Sequence, residues 1–580
     1  MNRKSVIKFL ASTIVVYLFL TLLSVALSGG KFSLWYTKLL LVPSVITVLS
    51  TKFYENKNYF YSALGLFFFF ASLALLKIKI LHLNISVYDI VKYFSCVIGV
   101  CNIFILAAVF TAKIKCSTII RFFILILMFI PVILIWGYYF TASSWLNVDA
   151  VMAIMQTNVK ESAEYLHDNL EVKYYIVVGI LFIILYFLNN EVGKLSVKTN
   201  IKSKKLYCAF ILILCLLSIY KGKGNLLTYI AKDTVTYLQR YDDFNERREI
   251  RKKSINNLAN FDVNEKGIYV LVIGESQNKN YMSAYGYERE TTPWLSSIKN
   301  NFDVVFFSNA HSCHTHTVPV LTYALTAKNQ YNKLELSEAV SLIEVAEAAG
   351  FDTVWLSNQV KYGFWDTPIT VIASEANQQQ WINDNVGEVT RTNYYDGKLV
   401  DCLDNIKYSD KMLIVIHLMG NHGSYGERYP VEFEKFTGNN IVDEYDNSIL
   451  YNDYVIQNLY EKISRLPDFK CMVYFADHAD AVKEKLGHDA SRYIPEMTDI
   501  PFYIYCSERY INENQQKFTE LKNSADKYFT NDLIFNTMLS LMNIKIDSIY
   551  EPQNDIVSQQ YDDNITRFKT LYGKKGIGEK

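Results

Sequence analysis

The chain has 580 residues, and 58 Lys and Arg balance 58 Asp and Glu, so no basic surplus points to nucleic acid. Hydrophobic residues make up 51% and the mean hydropathy is +0.07, but the long apolar runs crowd before Lys221. The nine cysteines form no C-x-x-C pair, which excludes a zinc ribbon or a thioredoxin-type motif, and they are too few for a disulfide-dense scaffold.

A membrane-crossing helix needs about 20 mostly apolar residues. Phe9 to Leu27, Trp35 to Leu49, Tyr59 to Leu76, Tyr93 to Ala112, Phe122 to Tyr139, Tyr174 to Leu188 and Leu206 to Ile219 read as seven spans. With the N-terminus in the cytoplasm, the inner segments carry Arg3, Lys4 and Lys8, then Lys52 and Lys57, then Lys113, Lys115 and Arg121, then Lys194, Lys198, Lys202, Lys204 and Lys205. The outer segments are poorer in Lys and Arg, which is the positive-inside pattern. The first span reads as an anchor, because no small-residue cleavage site follows it. Residues 1–220 are thus expected to form a transmembrane domain with an extracytoplasmic loop at 142–172. Residues 221–265 are polar, with Leu226, Tyr229, Ile230, Val235 and Leu238 on one helical face, and read as an amphipathic or linker helix region. An odd number of spans places residues 266–580 outside the cytoplasm.

From Gly267 onward, short apolar runs alternate with helical stretches. The runs are Ile268 to Gly274, Asp352 to Ser357, Met412 to Gly420, Cys471 to Ala476 and Ile500 to Cys506. Near-continuous apolar strands separated by helices predict a mostly parallel sheet covered on both faces, with ligands at the carboxyl ends of the strands. Those ends carry Glu275 and Ser276, then His417, Asn421 and His422, then Asp477, His478 and Asp480, with His488 in the next loop. Carboxylate and imidazole converging from three strands suit zinc or a similar divalent ion. Such a site needs a nucleophile or an open position. The segment HSCHTHTVP, His311 to Pro319, offers Ser312, Cys313, Thr315 and Thr317, and the spacing does not choose among them.

The run GESQNKNYMSAYGYERETTPWL, Gly274 to Leu295, resembles the membrane phosphoethanolamine transferases of the alkaline phosphatase and sulfatase superfamily. The likeness continues through SCHTHT at Ser312 to Thr317, HLMGNHG at His417 to Gly423, YDNSILYNDY at Tyr445 to Tyr454 and ADHAD at Ala476 to Asp480. MQTNVKESAEYL, Met155 to Leu166, also resembles the family, which opposes a plain-anchor role for the membrane half. The fold implied is a multi-pass α-helical membrane domain followed by an α/β alkaline-phosphatase-like domain. The reaction implied moves phosphoethanolamine from phosphatidylethanolamine to an envelope glycolipid, a lipopolysaccharide core sugar or lipid A, through a phospho-threonine on Thr317. The zinc ligands implied are Glu275, Thr317, Asp477 and His478, holding one tight ion. His422 and His488, with His417 from the same motif, correspond to second-metal or phosphate contacts, Thr157 and Glu161 to the ethanolamine end, and Lys361 to a phosphate contact. The compartment implied is the periplasmic face of a bacterial inner membrane, with no nucleic-acid partner.

Several positions depart from the family pattern. Ala476, Ala479 and Asp480 stand where S-D-H-G-E is common, Ala153 replaces an asparagine, and Tyr323 stands where Cys313 would find a disulfide partner. The resemblance therefore implies no disulfide from Cys313 by that route. Members of the family have five spans, against the seven read here. Cys313 is followed by His314, Thr315 and His316, which disfavours a sulfatase nucleophile in C-x-P-x-R context. A lipoteichoic-acid-type glycerophosphate transferase is opposed by MSAYGYERETTPWL and by QTN. A non-enzymatic membrane receptor or scaffold leaves the ligand-bearing strand ends unexplained.

Overall fold

Apolar runs bounded by Lys and Gly become helices in the first part of the chain, and shorter β-branched runs become strands in the second. The computed structural model describes residues 3–30, 32–54, 58–81, 86–112, 114, 116–156, 172–195, 204–258, 266–359, 368–383, 394–438, 440–546 and 548–577. Packing divides the chain into two units, one of Met1–Val151 and Asn169–Thr236, the other of Met152–Asp168 and Tyr237–Lys580.

Among the described residues of the first unit, six helices are long and apolar enough to cross a membrane, namely Lys4–Leu27, Leu34–Phe53, Tyr59–Lys77, Val87–Phe110, Ser117–Ala142 and Tyr174–Gly193. The run read as a seventh span lies in the 18-residue helix Lys204–Lys221, which has lysines at both ends. That helix packs closely on Val87–Phe110. A Cβ on Gly99 would come within 2.9 Å of the Cys215 carbonyl oxygen, and Ser218 Oγ donates to the Ser95 carbonyl at 2.8 Å. Small residues at a helix crossing let two backbones approach, the usual basis of helix packing in lipid. Two polar pairs join helices here, Tyr59 Oη donating to Asn102 Oδ1 at 2.7 Å and Trp136 Nε1 to Ser72 Oγ at 3.0 Å.

The second unit is built on a seven-stranded sheet. Its strands are β1 (Gly267–Gly274), β2 (Val304–Phe306), β3 (Asp352–Ser357), β4 (Gln378–Trp381), β5 (Lys411–His417), β6 (Phe469–Ala476) and β7 (Phe502–Cys506), in the spatial order β2-β7-β6-β1-β5-β3-β4. The β6–β1–β5–β3–β4 pairs are all parallel, and β7 runs against both β6 and β2. Alternate residues serve two apolar layers. Leu271, Ile273, Val415, Val473 and Phe475 enter one layer, and Val270, Val272, Ile414, Ile416 and Tyr474 the other. The first layer also takes Val320 and Leu321 of helix Thr317–Ala324 and Met538 of helix Ile534–Leu541, and the second takes Ile449 and Val455 of helix Ile441–Ile463. The expected mostly parallel sheet with helices on both faces is therefore present. The edge strands β2 and β4 were not legible as apolar runs, since one is three residues long and the other reads QQQW.

Helices Leu226–Glu246 and Arg248–Leu258 precede the sheet. Phe244 and Ile255 are buried in the sheet's first apolar layer. Arg251 is only 2% exposed, with Nε 3.3 Å from both Glu344 carboxylate oxygens and its guanidinium over the Phe244 ring. Glu375 lies beside it, 4.0 Å from Arg251 Nη2. Removing one member of a buried ion pair strands the other charge, at a cost of roughly 3 kcal/mol or more. Arg251→Ala should therefore lower the unfolding free energy of this unit by about that amount. Arg247→Ala, which removes only a half-exposed pair with Glu338, should leave the melting curve nearly unchanged.

Candidate active site

β1 and β6 are neighbours, and their last paired residues are Gly274 and Ala476. The next residue on each strand is a carboxylate, Glu275 and Asp477, so the sheet itself sets them side by side. Ser276 then turns with φ +53°, a left-handed conformation uncommon outside glycine, and its N–H donates to Asp477 Oδ1 at 3.1 Å. The His478 N–H donates to the same oxygen at 2.7 Å. Asp477 Oδ2 accepts no hydrogen bond and stands 3.3 Å from His478 Nε2, and Glu275 Oε1 stands 3.3 Å from the same nitrogen. All three residues are buried, and their donor atoms lie within 4.8 Å of one another.

Of the four side chains that the sequence left open, Thr317 is the one whose oxygen reaches this group. Its Oγ1 donates to Glu275 Oε2 at 3.2 Å and lies 3.5 Å from His478 Nε2. The residue opens helix Thr317–Ala324, whose Val318 and Val320 anchor its position against the first apolar layer. Ser312 is turned to structural use, its hydroxyl donating to the carbonyls of His314 and Asp477. Cys313 and Thr315 are buried, and Thr315 Oγ1 pairs with His316 Nδ1 at 3.1 Å.

A second group adjoins the first. His488 Nδ1 lies 2.8 Å from Asp480 Oδ1, and Tyr425 Oη donates to Asp480 Oδ2 at 2.6 Å. The His488 ring is 4.3 Å from His478, 5.4 Å from His316 and 6.4 Å from His422. His417 ends β5 but packs edge-on against Trp355 at 6.1 Å, and it belongs to neither group of clustered donors. Thr157, Glu161 and Lys361 lie outside the described residues.

Three residues support the site, and two of them, Asp396 and Asn531, carried no signal in the sequence. Asp396 accepts from the Met419 N–H at 2.9 Å and the Gly420 N–H at 2.7 Å, fixing the turn after β5. Gly420 has φ +53°, and a Cβ there would come within 2.8 Å of the Glu275 backbone, so this close approach requires glycine. Asn531 Nδ2 donates to the Asp477 carbonyl at 2.6 Å. Asp396 sits in the loop YYDGK and Asn531 far along the chain, and neither lies at the end of an apolar run.

Burial sets the charge of the group. It pushes the carboxyls of Glu275 and Asp477 up to about 7, the neighbouring Glu275 adding to the effect on Asp477. Burial lowers His478 below the usual imidazole range and His422 to about 3, keeping both neutral. Burial also works to lower His488, but the Asp480 carboxylate outweighs it and raises that imidazole to about 9. Two carboxylates, a neutral imidazole and a hydroxyl, one carboxylate oxygen accepting no hydrogen bond, make a donor set that fits a tetrahedral zinc ion.

The sulfatase family matches residues 268–544, the stretch that carries the sheet and both groups of donors. Phosphoethanolamine transferase EptC of Escherichia coli (strain K12) is 28% identical over 344 residues, covering 55% of this chain and 59% of that protein. Phosphoethanolamine transferase CptA of Salmonella typhimurium is 26% identical over 332 residues, covering 53% of this chain and 56% of that protein. Over this stretch the chain is similar to membrane phosphoethanolamine transferases, and residues 268–544 carry the sulfatase match. It thus spans somewhat more than half the length of these curated relatives. The integral membrane lipooligosaccharide phosphoethanolamine transferase A of Neisseria meningitidis shares the fold, with a TM-score of 0.57 over 88% of this chain and 97% of that one, at 21% identity.

A cation held by these donors stabilises the folded state by binding it alone, about 4 kcal/mol at a concentration 1,000 times Kd. Adding zinc to the chelator-stripped protein should therefore raise its melting temperature. Asp477→Ala should abolish that rise, and His417→Ala should keep it.

Proposed function

We propose that the chain transfers phosphoethanolamine from phosphatidylethanolamine to an envelope glycolipid, a lipopolysaccharide core sugar or lipid A, at the outer face of a bacterial inner membrane. The observation that carries this reading is the Thr317 hydroxyl, 3.2 Å from Glu275 Oε2 in a buried group with Asp477 and His478. The relatives named above bear on the group transferred.

In the first step Thr317 Oγ1 attacks phosphorus, the bond from phosphorus to the diacylglycerol oxygen breaks, and the threonine proton leaves with diacylglycerol. The product is a phosphoethanolamine ester of Thr317. In the second step an oxygen of the acceptor attacks the same phosphorus, and Thr317 recovers a proton as its ester bond breaks. Glu275 orients the hydroxyl by accepting its hydrogen bond. Glu275, Asp477, His478 and Thr317 would hold a zinc ion, whose charge would favour loss of the Thr317 proton and offset negative charge at phosphorus. His422 and His488 face the same space and would contact phosphate oxygens or a second ion, with Asp480 fixing the His488 ring through Nδ1. Thr157 and Glu161 are assigned to the ammonium end of the donor, where a carboxylate suits a cation, and Lys361 to phosphate.

The topology proposed has seven crossings. An 18-residue helix such as Lys204–Lys221 is roughly 27 Å long, close to the ~30 Å of a hydrocarbon core, and lysines at its ends can extend to the lipid headgroups. Seven crossings put Tyr237–Lys580 on the side opposite the N-terminus.

Loss of a nucleophile that carries a covalent intermediate removes several orders of magnitude in rate, whereas loss of a neighbouring hydroxyl costs on the order of tenfold. Thr317→Ala should abolish transfer and the phospho-threonine adduct, while Thr315→Ala should keep the adduct on Thr317. Peptide mapping of the trapped adduct reads the difference, and an adduct on Thr315 would refute the assignment. Mass spectrometry of envelope glycolipids from cells with and without the gene should find one added phosphoethanolamine on a defined fragment. Glu161→Gln should weaken donor use and leave metal content unchanged, and full donor use in that variant would return the membrane half to the role of an anchor.

A further inference from the structure

The unit Tyr237–Lys580 contains four cysteines, Cys313, Cys402, Cys471 and Cys506. Among the described residues one sulfur–sulfur contact is formed, Cys471 Sγ to Cys506 Sγ at 3.5 Å. The two residues are register partners on the antiparallel strands β6 and β7. The Ser507 N–H donates to the Lys470 carbonyl at 2.8 Å, so Lys470 and Ser507 are a hydrogen-bonded pair. Cys471 and Cys506, one step along, are a non-hydrogen-bonded pair, where side chains come nearest and Cα atoms are about 4.5 Å apart. A disulfide accepts Cα separations of about 4.4–6.8 Å, so rotation of the two side chains suffices and the strands need not move. Both side chains point into the first apolar layer beside Tyr269 and Tyr510.

We propose that Cys471 and Cys506 are joined by a disulfide in the exported, folded protein, a bond that rests on the seven-span topology proposed above. Two thiols lose two electrons and two protons, and an acceptor disulfide, a protein thiol oxidase or oxidised glutathione, takes them and leaves as two thiols. One cysteine thiolate attacks the acceptor to form a mixed disulfide, and the other cysteine resolves it. The exchange belongs to folding, before β6 and β7 close over the pair, since Cys471 is 1% exposed and Cys506 0% exposed in the folded unit. Burial, with Cys506 alongside, holds the Cys471 thiol protonated well above the usual thiol range, which further disfavours exchange after closure. The bond fastens β6, the strand that delivers Asp477 and His478, to the one antiparallel strand of the sheet.

The test uses the full chain with a periplasm-dependent reporter fused after Lys580. Cells are quenched in acid, denatured and labelled with a mass-tagged maleimide before and after reduction, and the peptides are mapped. The expected result is an active reporter, a Cys471–Cys506 linked peptide and two additional tags after reduction. An active reporter with Cys471 and Cys506 both tagged before reduction overturns the bond and leaves the topology standing. A reporter silent outside the cytoplasm overturns the topology and the bond with it. Reduction should also lower the melting temperature of the purified chain by about 5 °C and have no such effect on Cys506→Ala. An unchanged melting temperature in the reduced wild-type chain would likewise overturn the bond.

Discussion

Glu275 and Asp477 are like-charged groups held side by side away from water. Desolvation penalises each charge, and at Asp477 the weakly screened repulsion of Glu275 adds to it. Both carboxyls are accordingly pushed up to about 7, and a cation held by the group would favour the ionised form of both. Much of the surrounding structure serves to keep them in that state. The Ser276 and His478 amides bind Asp477 Oδ1, Asn531 binds its carbonyl, and Gly420 packs against the backbone of Glu275. Each contact prevents the relaxation that would let a carboxylate swing away from its neighbour. The Thr317 hydroxyl enters the same constraint by donating to Glu275, so its position is tied to that of the charges it touches.

The sheet was legible because its central strands are buried on both faces. β1, β5 and β6 are near-continuous apolar runs, and a polar residue at the end of such a run marks the point where the chain leaves the core. That is how Glu275, His417 and Asp477 stood out in the sequence. His417 also ends β5, and its ring packs edge-on against Trp355. Edge strands carry less of this signal, since solvent can satisfy one side, and QQQW at β4 is an instance. Asp396 and Asn531 were invisible for a different reason. They act through hydrogen bonds to backbone groups distant in sequence, and no local pattern encodes a partner more than twenty residues away.

Charge runs misled in a related way. NERREIRKKS reads as a solvated surface, yet Arg251 inside it is buried against Glu344 and Glu375. Sequence composition records the charge of a segment and not whether its counter-ions wait in the fold. In the first unit the opposite holds. Apolar length identifies the helices, and what composition leaves out is the packing detail, such as Gly99 against the backbone of Cys215.

The pairing of Gly274 with Ala476 has an evolutionary corollary. Strand side chains alternate between faces with a period of two, so adding or deleting one residue in β1 or β6 would turn a carboxylate to the far side of the sheet. Such length changes are silent in a loop, where the chain can bulge outward. Sequence drift in this fold is thus expected to be two-speed. Insertions gather in the connections between strands, and the lengths of β1 and β6 stay constant even where the apolar residues filling them are exchanged freely.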